Sequence, residues 1–440
     1  MDKNLYPNKK VKVTGNIIEN NMDVDYCIEA SEIYPSEDEL NNQRILSFDI
    51  ETYTEPNAYS SDDKDPIITL AMFGEDLSKV ITWKRFDTKE KITFVDGEAG
   101  LIEEFKKTVK DYKPDYIVGY FSDGFDFPYL IERAKRYKIK LDLGLDNESI
   151  KISRKGMKNV SIIGIPHIDI FKFIRGIMGG SLQLDNYTLG EVSKQLAGEE
   201  KGDIDFSKIS DMWNNNRDIE KICVYNLKDA EITYKVFKKV MFNLEELVKI
   251  LGIPIFDVCR MSYGQLVEWY LIRKAKEFNV LVPNKPTNNE VGFRRRQTYK
   301  GAFVLTPDPG LYEEIAIIDF RSLYASLITA KNIDPGTLTT NKKDSRETPL
   351  IEESSGDVKY YFNYKEEGFF PRVVKELLMR RIRIKEMIKK EGKNNILEAR
   401  SYGLKTVLNS TYGYTGYFNA RFYCRECASS ITAWGRYYIN

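Results

Sequence analysis

The chain has 440 residues, 42% hydrophobic and 30% charged, which is a globular composition too long for one ordinary core, so two or three domains are expected. Its 66 basic and 66 acidic side chains cancel, which excludes the overall positive field of a typical nucleic-acid binder and leaves only local patches to hold phosphates. No apolar run approaches the roughly 20 residues of a membrane helix, no secretory pattern follows the basic start, and five scattered cysteines are not a secreted disulfide framework, so a cytoplasmic protein without a membrane partner is expected.

Residues 1–44 are acidic and polar, with short alternating stretches that make a poor core by themselves. From Arg44 the pattern changes. The β-rich runs 45–49, 67–73 and 116–120 enclose helical spacing over 101–112, which predicts an α/β domain around a mostly buried sheet. Residues 218–251 are strongly helical and Gly252-Ile253-Pro254 supplies a stop, so a domain boundary is expected between 240 and 255. A further helix carries Tyr263, Leu266, Val267, Tyr270 and Leu271 on one face. The run Ile315-Ala316-Ile317-Ile318-Asp319 reads as a buried strand that opens a second α/β layer. After the loop-rich stretch 332–360, helical spacing over 373–390 and from 397 to about 410 predicts an antiparallel hairpin. It is basic, with ten Lys or Arg against four Glu between Pro371 and Arg400, and Arg294, Arg295, Arg296 and Lys300 form a second basic cluster. Cys424 and Cys427 form the one CxxC, and without a second pair they read as two ordinary thiols ahead of a zinc site or a local disulfide.

The chemistry lies in carboxylates. Phe48-Asp49-Ile50-Glu51-Thr52 places two acids at i and i+2, so both leave the same face of a strand. Like charges held that close are costly unless a cation sits between them. A lone DxE is more often a strand end turning into solvent. Here, however, acids recur just past a second buried strand, in Phe121-Ser122-Asp123-Gly124-Phe125-Asp126, and Tyr225 and Asp229 stand four apart on one helix face. Hard oxygen ligands from three separate elements can build a two-metal site for phosphodiester cleavage, with Tyr225 helping to orient the water.

Together these segments resemble the three exonuclease motifs of family B DNA polymerases of archaeal type: FDIET, GYFSDGFD and YNLKD, in the family's order. The resemblance implies an α/β multidomain protein. A remnant of an N-terminal domain (1–44) would precede a ribonuclease H-like 3′→5′ exonuclease domain (45–245). Linker helices and a partial palm with motif A (246–365), a fingers hairpin with motif B (366–410) and more partial palm (411–440) would follow. It also implies Asp49, Glu51, Asp126 and Asp229 as metal ligands and Tyr225 as catalytic. Phe121 stands where the family has an Asn that contacts the substrate strand, so weakened excision is expected. The sole histidine, His167, reads equally as a structural residue of this domain or a catalytic one.

Asp319-Phe320-Arg321-Ser322-Leu323-Tyr324-Ala325 resembles motif A, with Ala325 in place of the family's Pro. By resemblance Asp319 binds catalytic metal, Ser322 and Leu323 lie near the triphosphate, and Tyr324 packs under the sugar. The segment from Lys405 to Gly413 matches motif B, KxxxNSxYG, and puts Lys405, Asn409 and Tyr412 on one helix stripe. Arg381 matches the fingers arginine that grips the triphosphate and shares a face with Lys385, while Lys389 and Lys390 read as solvated. Tyr299 and Gly301 fit the family's template-contacting segment. The resemblance implies two Mg²⁺ or Mn²⁺ ions per site, and primer-template DNA and deoxynucleoside triphosphates as partners. A sliding clamp is a candidate partner, and a nucleoid-associated place in the cytoplasm is expected. Motif C, the YxDTDS hairpin with the second polymerase acid, and the thumb are not found up to Asn440. A second polypeptide carrying both is therefore expected for synthesis. A stand-alone metal-dependent 3′→5′ exonuclease and a non-catalytic DNA-binding remnant are the competing expectations.

Overall fold

The structure is a computed structural model that describes residues 5–38, 42–55, 61–62, 64–153, 158–202, 205, 208–353 and 356–439. It divides into two compact units, Met1–Val248 with Gly252–Arg260, and Lys249–Leu251 with Met261–Asn440.

The first unit begins with an antiparallel hairpin of β1 (Val11–Ile17) and β2 (Ile28–Pro35), exposed along nearly all its length. Its central sheet contains β3 (Ile45–Thr52), β4 (Ile67–Phe73), β5 (Ser78–Thr82), β6 (Ile92–Phe94) and β7 (Tyr116–Gly119). A two-residue ladder of β8 (Lys151–Ile152) with β9 (Val160–Ser161) precedes the last sheet strand, β10 (His167–Asp169). The order is β10-β7-β3-β4-β5-β6, with β7 parallel to β3 and β4 antiparallel to it. Strand periodicity decides what each face of β3 meets. Leu46, Phe48 and Ile50 pack with Leu101, Ile102 and Phe105 of α1 (Gly97–Tyr112) and with Phe127 and Leu130 of α2 (Asp126–Arg136).

Ser47, Asp49 and Glu51 point the other way. Between the two layers the chain runs through α3 (Ile170–Phe173), a π-helical turn (Ile174–Met178), α4 (Gly179–Leu182), α5 (Leu189–Ala197) and α6 (Ile209–Asn214). It then enters α7 (Ile219–Leu251), which covers the acidic face. Ile222, Cys223 and Ala230 of α7 cluster with Ile68 and Ala71 of β4, and Ser47 Oγ donates to the Ala230 carbonyl over 2.7 Å. Gly252, at φ 71°, closes α7 in the left-handed conformation that a C-terminal glycine takes without strain. A short α8 (Ile255–Val258) ends the unit.

The second unit is mostly helical: α9 (Tyr263–Glu277), α10 (Asn288–Arg296), α11 (Leu323–Lys331), α12 (Phe369–Glu391), α13 (Asn395–Thr415) and α14 (Arg425–Ile439). A small sheet of β11 (Leu338–Thr339), β12 (Ser345–Glu347) and β13 (Tyr361–Asn363) has β13 in the middle. α12 and α13 form the expected hairpin, each longer than the periodicity suggests. The start of α12 is tied to the loop after α11, because buried Asp334 accepts the Phe370 N–H over 2.7 Å and satisfies one of the free donors of a helix N-terminus.

One expectation fails. The strand expected at 315–319 is not formed, and residues 302–321 carry neither helix nor strand. Ile317 and Ile318 are 92% and 90% exposed. A strand must pair its backbone N–H and C=O groups with a neighbour, and among the described residues no strand lies beside this run. Its apolar side chains therefore have no layer to enter.

Candidate active site

β3 presents Asp49 and Glu51 to α7, and α7 brings Asp229 to them, so that a carboxylate oxygen from each lies within 4.8 Å of the others. Tyr225 stands one turn ahead of Asp229 on the same helix face. Asn226, fully buried, donates Nδ2 to Asp49 Oδ2 over 2.8 Å and accepts from Thr69 Oγ1 over 3.0 Å, which fixes how the Asp49 carboxylate points. Asp126 is the first residue of α2 and is 3% exposed. Its Oδ1 accepts the Ile50 N–H over 3.3 Å. Thus three of the four expected ligands form one group, while Asp126 turns to the backbone of β3 from a position where its charge still acts on Asp49.

Burial raises the proton affinity of all four acids, and repulsion from neighbouring carboxylates adds to it at Asp49 and Glu51. Asp49 is raised by burial first, then by Asp126, Asp229 and Glu51. Burial and then Asp229 push Glu51 up to about 8. Burial pushes Asp126 up to about 7 and raises Asp229 against the pull of Lys201. Lys201 Nζ lies 2.7 Å from Asp229 Oδ2 and 4.7 Å above the Tyr225 ring. Burial opposes its charge, but Asp229 and Tyr225 outweigh that and hold the ammonium above the usual lysine value. One lysine against four carboxylates leaves the site short of positive charge, and Asp229 Oδ1 is buried with no hydrogen-bond partner. An all-oxygen set of acids with an orphaned oxygen fits a hard divalent cation and not a soft one.

The second unit holds a group of opposite sign. Arg381 donates Nη1 to Ser322 Oγ over 3.5 Å, and its Nε is buried without a partner. Burial and then Arg321 make the Arg381 guanidinium harder to keep charged than usual. Lys385 is lowered by Arg381 first, then by burial, Arg321 and Lys405. Cations that repel one another suit a polyanion. Lys405 and Asn409 are exposed on α13. The Tyr324 and Tyr412 rings lie 4.4 Å apart at 31°, and the Tyr299 side chain hydrogen-bonds Tyr412. Leu323 opens α11. The Gly301 carbonyl accepts from Arg436, and the space around its Cα is open. Asp319 is exposed and belongs to no group of three or more metal-ligating side chains among the described residues. Cys424 and Cys427 are free and buried, and Cys424 Sγ accepts the Cys427 N–H at the start of α14 over 3.4 Å.

The sequence model of DNA polymerase family B matches residues 253–440, and that of the family B exonuclease domain matches residues 1–192. The chain belongs to the family B DNA polymerases. The DNA polymerase of Pyrococcus glycovorans is 39% identical to this family B chain over 402 residues, which are 90% of the chain and 50% of that relative. The DNA polymerase of Thermococcus gorgonarius is 36% identical over the same shares. The structure of the family B DNA polymerase from the hyperthermophilic archaeon Pyrobaculum calidifontis matches with a TM-score of 0.78 at 28% identity, covering 100% of this chain and 55% of that one. The chain spans about half the length of the curated relatives it matches. It is an α/β family B polymerase chain with exonuclease and palm-like parts.

Sequence reasoning on this family B chain missed Lys201, Asn226 and Asp169. Asn226 had a signal, since it shares a helix face with Asp229 at i and i+3. Asp169 also had one, as an acid at the end of a β-rich run. Lys201 had none, because it lies in irregular chain after α5. Of the two roles open to His167, the structural one fits its place: it is fully buried and shares hydrogen bonds with Ser122 Oγ and the Val160 carbonyl.

Proposed function

We propose that this family B chain is a metal-dependent 3′→5′ exonuclease on DNA, with a ribonuclease H-like first unit, and that its second unit is the nucleotide-binding side of a template-directed DNA polymerase. The observation that carries the first part is the acid group built by β3 and α7 with one orphaned carboxylate oxygen. Asp49, Glu51, Asp229 and Asp126 would hold two Mg²⁺ or Mn²⁺ ions, which when bound polarise the phosphate and lower the pKa of water. Asn226 keeps Asp49 pointed at the site, Tyr225 orients the attacking water, and Lys201 balances Asp229. Removing Asp49 and Glu51 together must abolish shortening of labelled single-stranded 3′ ends. Failure of the unaltered chain to shorten them in Mg²⁺ or Mn²⁺ overturns the reading.

In the second unit Arg381, Lys385 and Lys405 supply cations for a triphosphate, with Asn409 beside them. Ser322 and Leu323 flank it, Tyr324 against Tyr412 forms a floor for sugar and base, and Tyr299 and Gly301 face the template. The boundaries we propose are 1–44, an exonuclease domain at 45–245, linker and partial palm with metal-binding Asp319 at 246–365, fingers at 366–410 and palm at 411–440. The exposed state of 315–319 supports a need for more polypeptide, which supplies strands and a second acid with motif C and the thumb. For the chain by itself, exposed Asp319 favours excision without synthesis. Robust primer extension by this chain alone would sink that requirement. Work on primer-template DNA, with or without a sliding clamp, implies a nucleoid-associated place in the cytoplasm. No helix among the described residues is long and apolar enough to cross a membrane.

A further inference from the structure

Phe121 stands in the loop between β7 and α2, five residues before Asp126. It is a large apolar side chain 47% exposed, and its backbone is left-handed at φ 63°. A bulky residue is rarely found there and persists only where its surroundings enforce it. Here the enforcement is visible. Asp169, fully buried, accepts the N–H of Phe121 on Oδ1 over 3.0 Å and that of Asp123 on Oδ2 over 3.1 Å. The Phe121 carbonyl accepts from Gly124 and Phe125 over 2.9 and 3.0 Å. Asp123, also fully buried, is gripped by Lys172 and Arg260, each at 2.8 Å. The loop is thus fixed on both sides of Phe121.

The ring is fixed as well. It meets Phe171 edge-on, with centroids 5.3 Å apart at 81°, and it lies directly over Gly124, where an added Cβ would come within 2.4 Å of it. Core packing explains none of this, since nearly half the side chain is left in water. Exposed Arg175 holds its guanidinium 5.7 Å from the Phe171 ring. Aromatic faces interleaved with a cation are the arrangement that binds single-stranded nucleic acid through base stacking and backbone charge, with little sequence preference.

We propose that Phe121 is a stacking platform for a base at the single-stranded 3′ end whose terminal linkage reaches the acid group. This rests on the exonuclease reading and adds the feature of the substrate that is recognised. Recognition is by the face of the base, so purines, with more area to stack, are held more tightly than pyrimidines.

The test uses an oligonucleotide ending in 2-aminopurine, whose fluorescence is quenched by stacking, titrated with the full chain in EDTA so that no cleavage intervenes. Phe121→Gly keeps a residue that tolerates the left-handed backbone and removes the aromatic face without adding a side chain that could hold the strand, and its melting curve checks that it folds. The unaltered chain quenches the probe. Phe121→Gly loses the quench, and in Mg²⁺ its KM for purine-ended strands rises about 5- to 100-fold with kcat little changed. Phe121→Trp restores both, and Gly124→Ala, which pushes the ring off its rest, loses part of the quench. Equal quenching and equal KM in Phe121→Gly and the unaltered chain overturn the proposal. Quenching that depends on Phe121 in a chain that never shortens DNA supports the platform and overturns the exonuclease reading alone.

Discussion

Lys201 Nζ lies 2.7 Å from Asp229 Oδ2 and lowers the proton affinity of Asp49, Glu51 and Asp229 alike. Removing it in Lys201→Met leaves four crowded carboxylates that ionise only at higher pH. Excision near pH 7 should fall by about 10- to 100-fold, and the gap should narrow as pH rises toward 9 and the carboxylates lose protons without the lysine's help. A rate ratio that stays constant from pH 6.5 to 9 would show that the lysine acts in some other way.

Asn226 joins Thr69 of the sheet to Asp49 of the site, with no solvent to replace it. Asn226→Ala strands the buried Thr69 hydroxyl and a half-buried Asp49 carboxylate oxygen, at a cost of about 1–2 kcal/mol. Thermal melting of the variant should move down accordingly, and excision should drop even at saturating metal because Asp49 is no longer aimed. Full activity at an unchanged melting temperature would remove Asn226 from the site.

The raised acids also make stability depend on pH in a defined direction. Glu51 ionises at about 8 in the fold against an ordinary 4.5, and Asp126 at about 7 against 3.8. Between pH 4.5 and 8 the folded chain therefore binds more protons than the unfolded one, so its stability without metal falls as pH rises through that window. A divalent ion replaces those protons and binds better as pH rises. Melting curves should show the stabilisation by Mn²⁺ growing from pH 6 to pH 8. A gain in melting temperature that is the same at both pH values would contradict a metal held by these carboxylates.

Local pattern was enough for part of this site. Acids at i and i+2 on an apolar strand and Tyr225 with Asp229 at i and i+4 could be read directly, because strand and helix periods dictate which face a side chain takes. The hairpin of α12 and α13 was equally readable from its spacing. Lys201 was not, since irregular chain carries no period to say where a side chain goes. Nor was the buried hold of Asp169 on the second-motif loop, which depends on β10 lying beside β7, a pairing between residues far apart in sequence. The failed strand at 315–319 has the same cause in reverse: its sequence is right for a buried strand, but a strand is made by its neighbours.

That failure is itself testable. With Ile317 and Ile318 at 92% and 90% exposure, Ile317→Lys should change stability by no more than about 0.5 kcal/mol, although a lysine inside a sheet layer would cost several times that. Amides of 315–319 should exchange with solvent far faster than those of β3, whose neighbours on both sides hold its backbone. Protection across 315–319 in the isolated chain, together with a large loss from Ile317→Lys, would mean that the strand forms on its own. Protection that arises only when further polypeptide is added, and that Ile317→Lys blocks, is the outcome expected if the palm sheet is completed from outside these residues. Asp319 then gains a fixed position at the moment its strand acquires a partner.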